Sequence, residues 1–342
     1  MIWIAWRLQR SVVFVLVVIA LAFVVFTVVI GITQHYDHAV FWSAPCHGHL
    51  LELPGRVNYC SELGAKLASA KGYDTFIRVG GYIIAPLTGA LLGILAVTSE
   101  LESRTARLDW TQSISRTQWF TAKVGLGAIF VTIILVPTAI ALSWWCGTIG
   151  DKYLFAPGTY GVAGWDLVAY GLFMFALTIL IGALIRRTGW ALAASILLFL
   201  VVAAAVPTKI RTHLVTPTVT WSEPVAATNG GGSNYFESYP PNSWLLVNGP
   251  VPRSTIGIPT HADENATLLT VSACVVRLPD TTETEYVKAQ LTCYKKFHVE
   301  NVAVYIAEEQ FWTLQLREGI LYLLVSLILT GGALVVVRRI EP

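Results

Sequence analysis

Four of the seven histidines, His35, His38, His47 and His49, crowd into one stretch with Asp37 and Cys46 among them. Imidazole nitrogens and a thiolate are ligands for zinc or copper, so metal binding is the first chemistry this pattern offers. The H-x-x-H and C-H-x-H spacings match no defined site, and a disulfide at Cys46 would remove one ligand. Solvated histidines are therefore expected, and no metal. The chain has no G-x-x-x-x-G-K-[ST] to cradle phosphate, and no H-E-x-x-H, G-x-S-x-G or C-x-x-C. It carries no catalytic engine, so no enzymatic activity and no cofactor of its own are expected.

The elements that would position such residues are membrane spans. Of 342 residues 55% are hydrophobic and 13% charged, and the mean hydropathy is +0.62, values outside those of a soluble domain. Apolar runs predict spans over 11–32, 79–98, 124–145, 167–185, 190–206 and 319–337. The opening segment, with Trp3, Trp6, Arg7 and Arg10, suits a headgroup interface. Gly89 and Gly93, four apart in the second span, suit close helix packing. Charges are missing from the middle of every span, which argues against a proton relay or an ion-coupled carrier.

Orientation follows from the short loops. Arg7, Arg10, Arg104, Arg107, Arg116, Lys123, Arg186, Arg187, Arg338 and Arg339 all fall on one side of six crossings, and short positive loops stay cytoplasmic. The expected fold is an α-helical polytopic membrane protein with six transmembrane helices and cytoplasmic N and C termini. Its parts are 1–32 (interfacial segment and first span), 33–78 (external loop), 79–98, 99–123 (cytoplasmic), 124–145, 146–166 (external loop), 167–206 (a hairpin of two spans), 207–317 and 318–342. The 207–317 segment is large enough for a small α+β extracytoplasmic domain. There, Thr216 to Pro259 reads as irregular, Thr267 to Leu278 as a strand, Thr284 to Phe297 as an amphipathic helix and Val302 to Ile306 as a second strand.

This orientation places Cys46 and Cys60 in one external loop and Cys274 and Cys293 in another. Local disulfides 46–60 and 274–293 are the economical pairing in an oxidising space, with a bridge between the loops as the alternative. Cys146 is left over.

The stretch from Ser99 to Lys123 lies between two spans yet is not written like a loop. Ser99 with Glu102, and Ser115 with Gln118, have capping-box spacing. Leu101, Thr105 and Leu108 recur at helical spacing, and Glu100 stands four residues before Arg104, a favourable surface pair. A short amphipathic helix from Ser99, a turn at 113–115 and a new helix entering the membrane are expected. The plainer alternative is a positive loop that only fixes topology.

Glu100, Glu102, Thr105, Arg107, Leu108, Trp110, Thr111, Gln112, Ser113, Ser115, Arg116, Trp119 and Lys123 together resemble the segment after the second span of ABC-2 type transporter permeases, especially their actinobacterial branch. That family usually has Gly where this chain has Arg104. The opening Trp6, Arg7 and Arg10, the Arg186–Arg187 hairpin, the cysteine loops and the patch of Phe311, Trp312, Gln315, Glu318 and Gly319 are similar to the same branch. The resemblance implies the membrane subunit of an ABC exporter, working in the plasma membrane on a hydrophobic or amphipathic substrate such as a lipid, peptide or drug. It implies a separate ATPase, in two copies, that carries ATP and Mg and docks on Glu100, Glu102, Arg104, Thr105, Arg107, Leu108, Trp110, Gln112 and Arg116. It also implies a second permease chain, identical or related, membrane lipid as surroundings and no nucleic acid. Trp312, Gln315 and Glu318 are expected as an interfacial anchor, with an external gate as the sharper alternative. A sensor or immunity protein that binds a peptide or antibiotic, and a metal exporter using the histidine stretch, are the rival functions.

Overall fold

The structure is a computed structural model and describes residues 2–42, 56–103, 115–148, 154–156, 158–222, 240, 242–252 and 283–339. It divides into two compact units, residues 1–214 with 312–342, and residues 215–311. Among the described residues six helices are long and apolar enough to cross a membrane, and they account for the predicted spans.

The first helix, α1 (Ile2–Trp42), runs well past the expected end of the first span. Residues 33–42 contain neither Gly nor Pro, so each further residue adds a backbone bond at little cost. Gln34 anchors this extension, donating to Asp74 Oδ1 at 2.6 Å and accepting the Trp145 indole N–H at 3.1 Å. The second helix, α2 (Arg56–Gly93), likewise begins far ahead of the expected Val79. The segment 33–78, expected as a loop, is thus helical at both ends. A polar helix carries no span signal, although Glu62 and Lys66, paired at 3.3 Å, have helical spacing.

α2 continues without a break through a π-helical turn, Ile94–Thr98, into a last α-turn, Ser99–Glu102. The third helix, α3, spans Arg116–Thr148. α4 (Asp166–Ile185) and α5 (Thr188–Ala205) form a hairpin closed by Arg186, which takes the left-handed φ of 54°. α4 is the centre of this unit, with 61% of its most apolar window buried against 17% for α5. It packs on α2 through backbone. A Cβ on Gly89 would stand 2.1 Å from the Gly171 carbonyl oxygen, and one on Gly93 2.8 Å from that of Phe175. The small-residue spacing read in the sequence does serve close approach.

In the second unit, β1 (Thr218–Ser222), β2 (Trp244–Pro252) and β3 (Val299–Ile306) form an antiparallel sheet in the order β1-β3-β2. Thr218 pairs with Tyr305 and Trp244 with Ile306, with an irregularity between Leu245 and Val247. The 216–259 stretch, expected to be irregular, therefore supplies two strands. Both are edges laid on the apolar β3, whose Val302 and Val304 pack against Val219, Leu246 and Val247. A helix, α6 (Glu283–Lys296), lies where the amphipathic pattern placed it, with Tyr294 buried against Val299. The expected strand at 267–278 lies outside the described residues. The last helix, α7 (Phe311–Arg339), is the sixth candidate span.

Candidate functional site

Two polar layers cap the apolar bundle, one at each end of α5. The first gathers the end of α2, the start of α3, the start of α5 and the end of α7. Glu100 is 8% exposed and Lys123 3%, and their side chains form an ion pair joining α2 to α3. The Lys123 ammonium also lies 5.0 Å from the centre of the buried Trp119 ring. Glu100 thus turns to a cation on the neighbouring helix, while Arg104, its expected surface partner, lies outside the described residues. Glu102 accepts the Thr188 backbone N–H at 2.9 Å and also the Thr188 hydroxyl. A carboxylate at the first turn of α5 satisfies a donor that has no partner inside the helix and meets the positive end of its dipole.

Arg116 Nη1 donates to the Arg338 carbonyl at 2.9 Å, and Arg338 Nε donates to the Thr117 hydroxyl at 3.2 Å. This ties α3 to the end of α7. Ser115 caps α3 as its spacing predicts, its Oγ accepting the Gln118 N–H at 3.2 Å. Ser99 does not cap. α2 runs straight through it, and its hydroxyl donates back to the Leu95 carbonyl at 3.3 Å. Arg104, Thr105, Arg107, Leu108, Trp110 and Gln112 lie outside the described residues.

The second layer joins the start of α4, the turns after α5 and the start of α7. Arg211 donates to Glu318 twice, from Nε at 2.8 Å and from Nη2 at 2.9 Å. Its guanidinium stacks 3.8 Å above the centre of the Tyr160 ring. The Tyr170 hydroxyl adds a third bond to Glu318 at 3.0 Å. Glu318 and Asp166 are both fully buried. Burial first, then the charges of Asp166 and Glu318, push the Tyr160 phenol up, so it stays a neutral hydroxyl between acids.

Glu318 is therefore no lipid-facing anchor but one half of a bidentate ion pair inside protein. Gln315, one turn before it, clamps the 158–165 turn. It donates to the Tyr160 carbonyl at 3.0 Å and to that of Ala163, and accepts the Trp165 N–H at 3.1 Å. Gly164 has φ +84°, and a Cβ there would stand 1.9 Å from Gln315 Oε1. Trp312 is 54% exposed. Sequence reasoning found Gln315 and Glu318 but not Arg211, Asp166, Tyr160 or Tyr170. The available signal was a charged residue just beyond the apolar run of three spans, all on one side by alternation.

Of the histidines, His35 is exposed on α1, the side chain of His38 is not described, and His47 and His49 lie outside the described residues. Among the described residues no three His, Cys, Asp or Glu side chains gather as a metal site. Cys60 and Cys293 are disulfide-bonded cysteines, whereas Cys146 is a buried free thiol. Cys46 and Cys274 lie outside the described residues.

The model of a family described as ABC-2 membrane transporter related matches residues 5–211. The chain belongs to that family. The match takes in five of the six candidate spans and the whole 99–123 stretch. Membership makes the chain a multi-pass transporter permease, a class in which ATP hydrolysis resides in a separate subunit. No curated protein and no solved structure matches it. In this ABC-2 permease the first layer is built by Glu100, Glu102, Arg116 and Lys123, which belong to the 99–123 stretch within the matched region. The second brings Arg211, the last residue of the matched region, onto Glu318.

Proposed function

We propose that the chain is the membrane-spanning half of an ABC exporter in the plasma membrane. Two such chains, alike or related, would assemble with two ATPase subunits that hold ATP and Mg. Both termini and the 99–123 stretch face the cytoplasm in this proposal, and the unit of residues 215–311 faces outward, with disulfides 46–60 and 274–293. The substrate is hydrophobic or amphipathic, as suits an interior of largely apolar side chains.

One observation carries the docking assignment. Both ends of the 99–123 stretch are tied by side chains to other spans, through Glu100 to α3, Glu102 to α5 and Arg116 to α7. A loop that only fixes topology needs no such ties, whereas a lever needs all of them. Co-purification tests the assignment. Leu108→Asp puts a charge on the face expected to bury against the ATPase, where an unpaired charge is costly. The variant should reach the membrane in normal amount and lose its ATPase partner. Normal co-purification and transport by that variant would reduce the stretch to a topology loop.

A further inference from the structure

A cavity of about 260 Å³ opens beside the second layer, between α2, α4, α5 and α7. Its polar lining is Tyr82, Tyr170, Tyr322 and Arg211, while α5 and the turn after it contribute Phe199 and Pro207. Neither Glu318 nor Asp166 lines it. The positive end of the Arg211–Glu318 pair is therefore the end the cavity meets. Arg211 spends Nε and Nη2 on Glu318, and among the described residues its Nη1 makes no hydrogen bond. Guanidinium nitrogens only donate, so the free edge awaits an acceptor.

Tyr322 points to the same chemistry independently. It is 5% exposed and lines the cavity, and among the described residues its hydroxyl makes no hydrogen bond, which leaves it able to donate to a ligand there. Its ring is held edge-on by Tyr170 at 4.8 Å and by Phe173 at 5.3 Å, so the hydroxyl is set in place rather than free to swing away. The opposite wall is apolar. It belongs to α5, the span with the smallest buried share of the six, and Ala203 on that wall is exposed. A ligand can thus arrive sideways from the hydrocarbon. The volume suits a headgroup and the first few methylenes of a tail, but not a whole lipid.

We propose that this cavity binds an anionic amphiphile, with its phosphate or carboxylate headgroup on Arg211 Nη1 and the Tyr322 hydroxyl and its apolar chain along Phe199 and Pro207. Glu318 then competes with the ligand for the guanidinium, so headgroup binding loosens the bond between the turn after α5 and α7. As a statement about exported cargo this rests on the permease function proposed above. Binding itself needs no ATPase and is measured on the permease chain alone, so the two can fail separately.

The test is native mass spectrometry of the full-length protein released from a maltoside detergent, titrated with dodecyl phosphate, dodecyltrimethylammonium or inorganic phosphate. Saturable binding of dodecyl phosphate is expected, weakened at least about tenfold by Arg211→Gln, the loss of one charged hydrogen bond. Glu318→Gln, which frees the guanidinium, should tighten binding severalfold. Should Arg211→Gln fail to fold, two variants that leave the ion pair intact decide the matter. Tyr322→Phe removes only the hydroxyl and Ala203→Trp fills the apolar mouth, and both should weaken binding. Dodecyltrimethylammonium bound in preference, and lost in Glu318→Gln, would overturn the proposal in favour of a cation site framed by tyrosine rings. Inorganic phosphate bound as tightly as dodecyl phosphate would make the ligand a free anion and overturn the amphiphile. Equal binding in every variant would mean an adventitious additive only.

Discussion

The Glu100–Lys123 pair gives the sharpest test of how the first polar layer is built. Both residues are nearly excluded from solvent, at 8% and 3% exposure. Lys123→Met leaves the Glu100 carboxylate buried without its cation, which costs about 3–5 kcal/mol. At about 1.4 kcal/mol per tenfold, the lower figure is already on the order of a hundredfold in the folding equilibrium. Glu100→Gln should cost a similar amount by stranding the ammonium, whose remaining support is the Trp119 ring 5.0 Å away. The double variant restores neutrality in nearly the same volume and should fall within about 1 kcal/mol of the parent. The expected coupling is therefore at least ~5 kcal/mol, above the range of about 0.5–3 kcal/mol usual for neighbouring residues. Denaturant unfolding in mixed micelles, followed through tryptophan fluorescence, measures all four proteins. Glu62→Ala serves as the control, because the exposed i,i+4 pair of Glu62 with Lys66 is worth only a few tenths of a kcal/mol. Single substitutions that each cost less than about 1 kcal/mol, or that simply add, would mean a solvated surface pair and would refute the burial argument.

Three further outcomes are expected. Glu102→Ala removes the acceptor at the start of α5 and should lower substrate-stimulated ATPase activity about threefold at unchanged yield; unchanged stimulation would take α5 out of the coupling route. Gly164→Ala forces a Cβ onto Gln315 at a left-handed φ and should destabilise by ~2 kcal/mol, read as a lowered melting temperature, whereas a neutral result would mean the 158–165 turn yields easily. Cysteines introduced at Gly189 and at Lys295, both exposed, should label from opposite faces of the membrane, and non-reducing peptide maps should link 46 to 60 and 274 to 293. Labelling of both sites from outside, or other linkages, would undo the proposed topology or the pairing.

Apolar length made the six helices legible, because nothing but a span explains runs of that size. The same filter hid the polar extensions of α1 and α2. Searching for spans assigns everything else to loops, and residues 56–71 have the charge of a loop with the spacing of a helix. β2 was hidden for a different reason. Gly249, Pro250 and Pro252 argue against a central strand, but β2 is an edge, where a missing donor on the outer side does no harm. That it is an edge is decided by β3, some fifty residues later. The second layer shows the same limit. Glu318 stood out alone, yet the partner that gives it meaning is 107 residues away, and no local spacing encodes such a pair.

Taken together, the polar ties form a closed circuit around the bundle. Glu100 holds α2 to α3, Glu102 holds α2 to α5, Arg211 and Glu318 hold the turns after α5 to α7, and Arg116 holds α7 back to α3. α5 has 18 residues, about 27 Å at 1.5 Å per residue, close to the ~30 Å thickness of a hydrocarbon core. A partner pressing between Glu102 and Ser115 would then move a rigid strut whose far end is fastened to α7 by a bidentate ion pair. In an apolar bundle each tie has few alternative partners, so the circuit can change only by breaking one tie and making another. That favours two discrete arrangements over a gradual bend. The π-helical turn Ile94–Thr98 lies immediately before Ser99, and such turns are common where helices bend. It would leave the last turn of α2 free to follow such a partner while the α2–α4 crossing at Gly89 and Gly171, with backbone against backbone, stayed fixed. The movement would then be delivered to Arg211 and Glu318 rather than absorbed in the core.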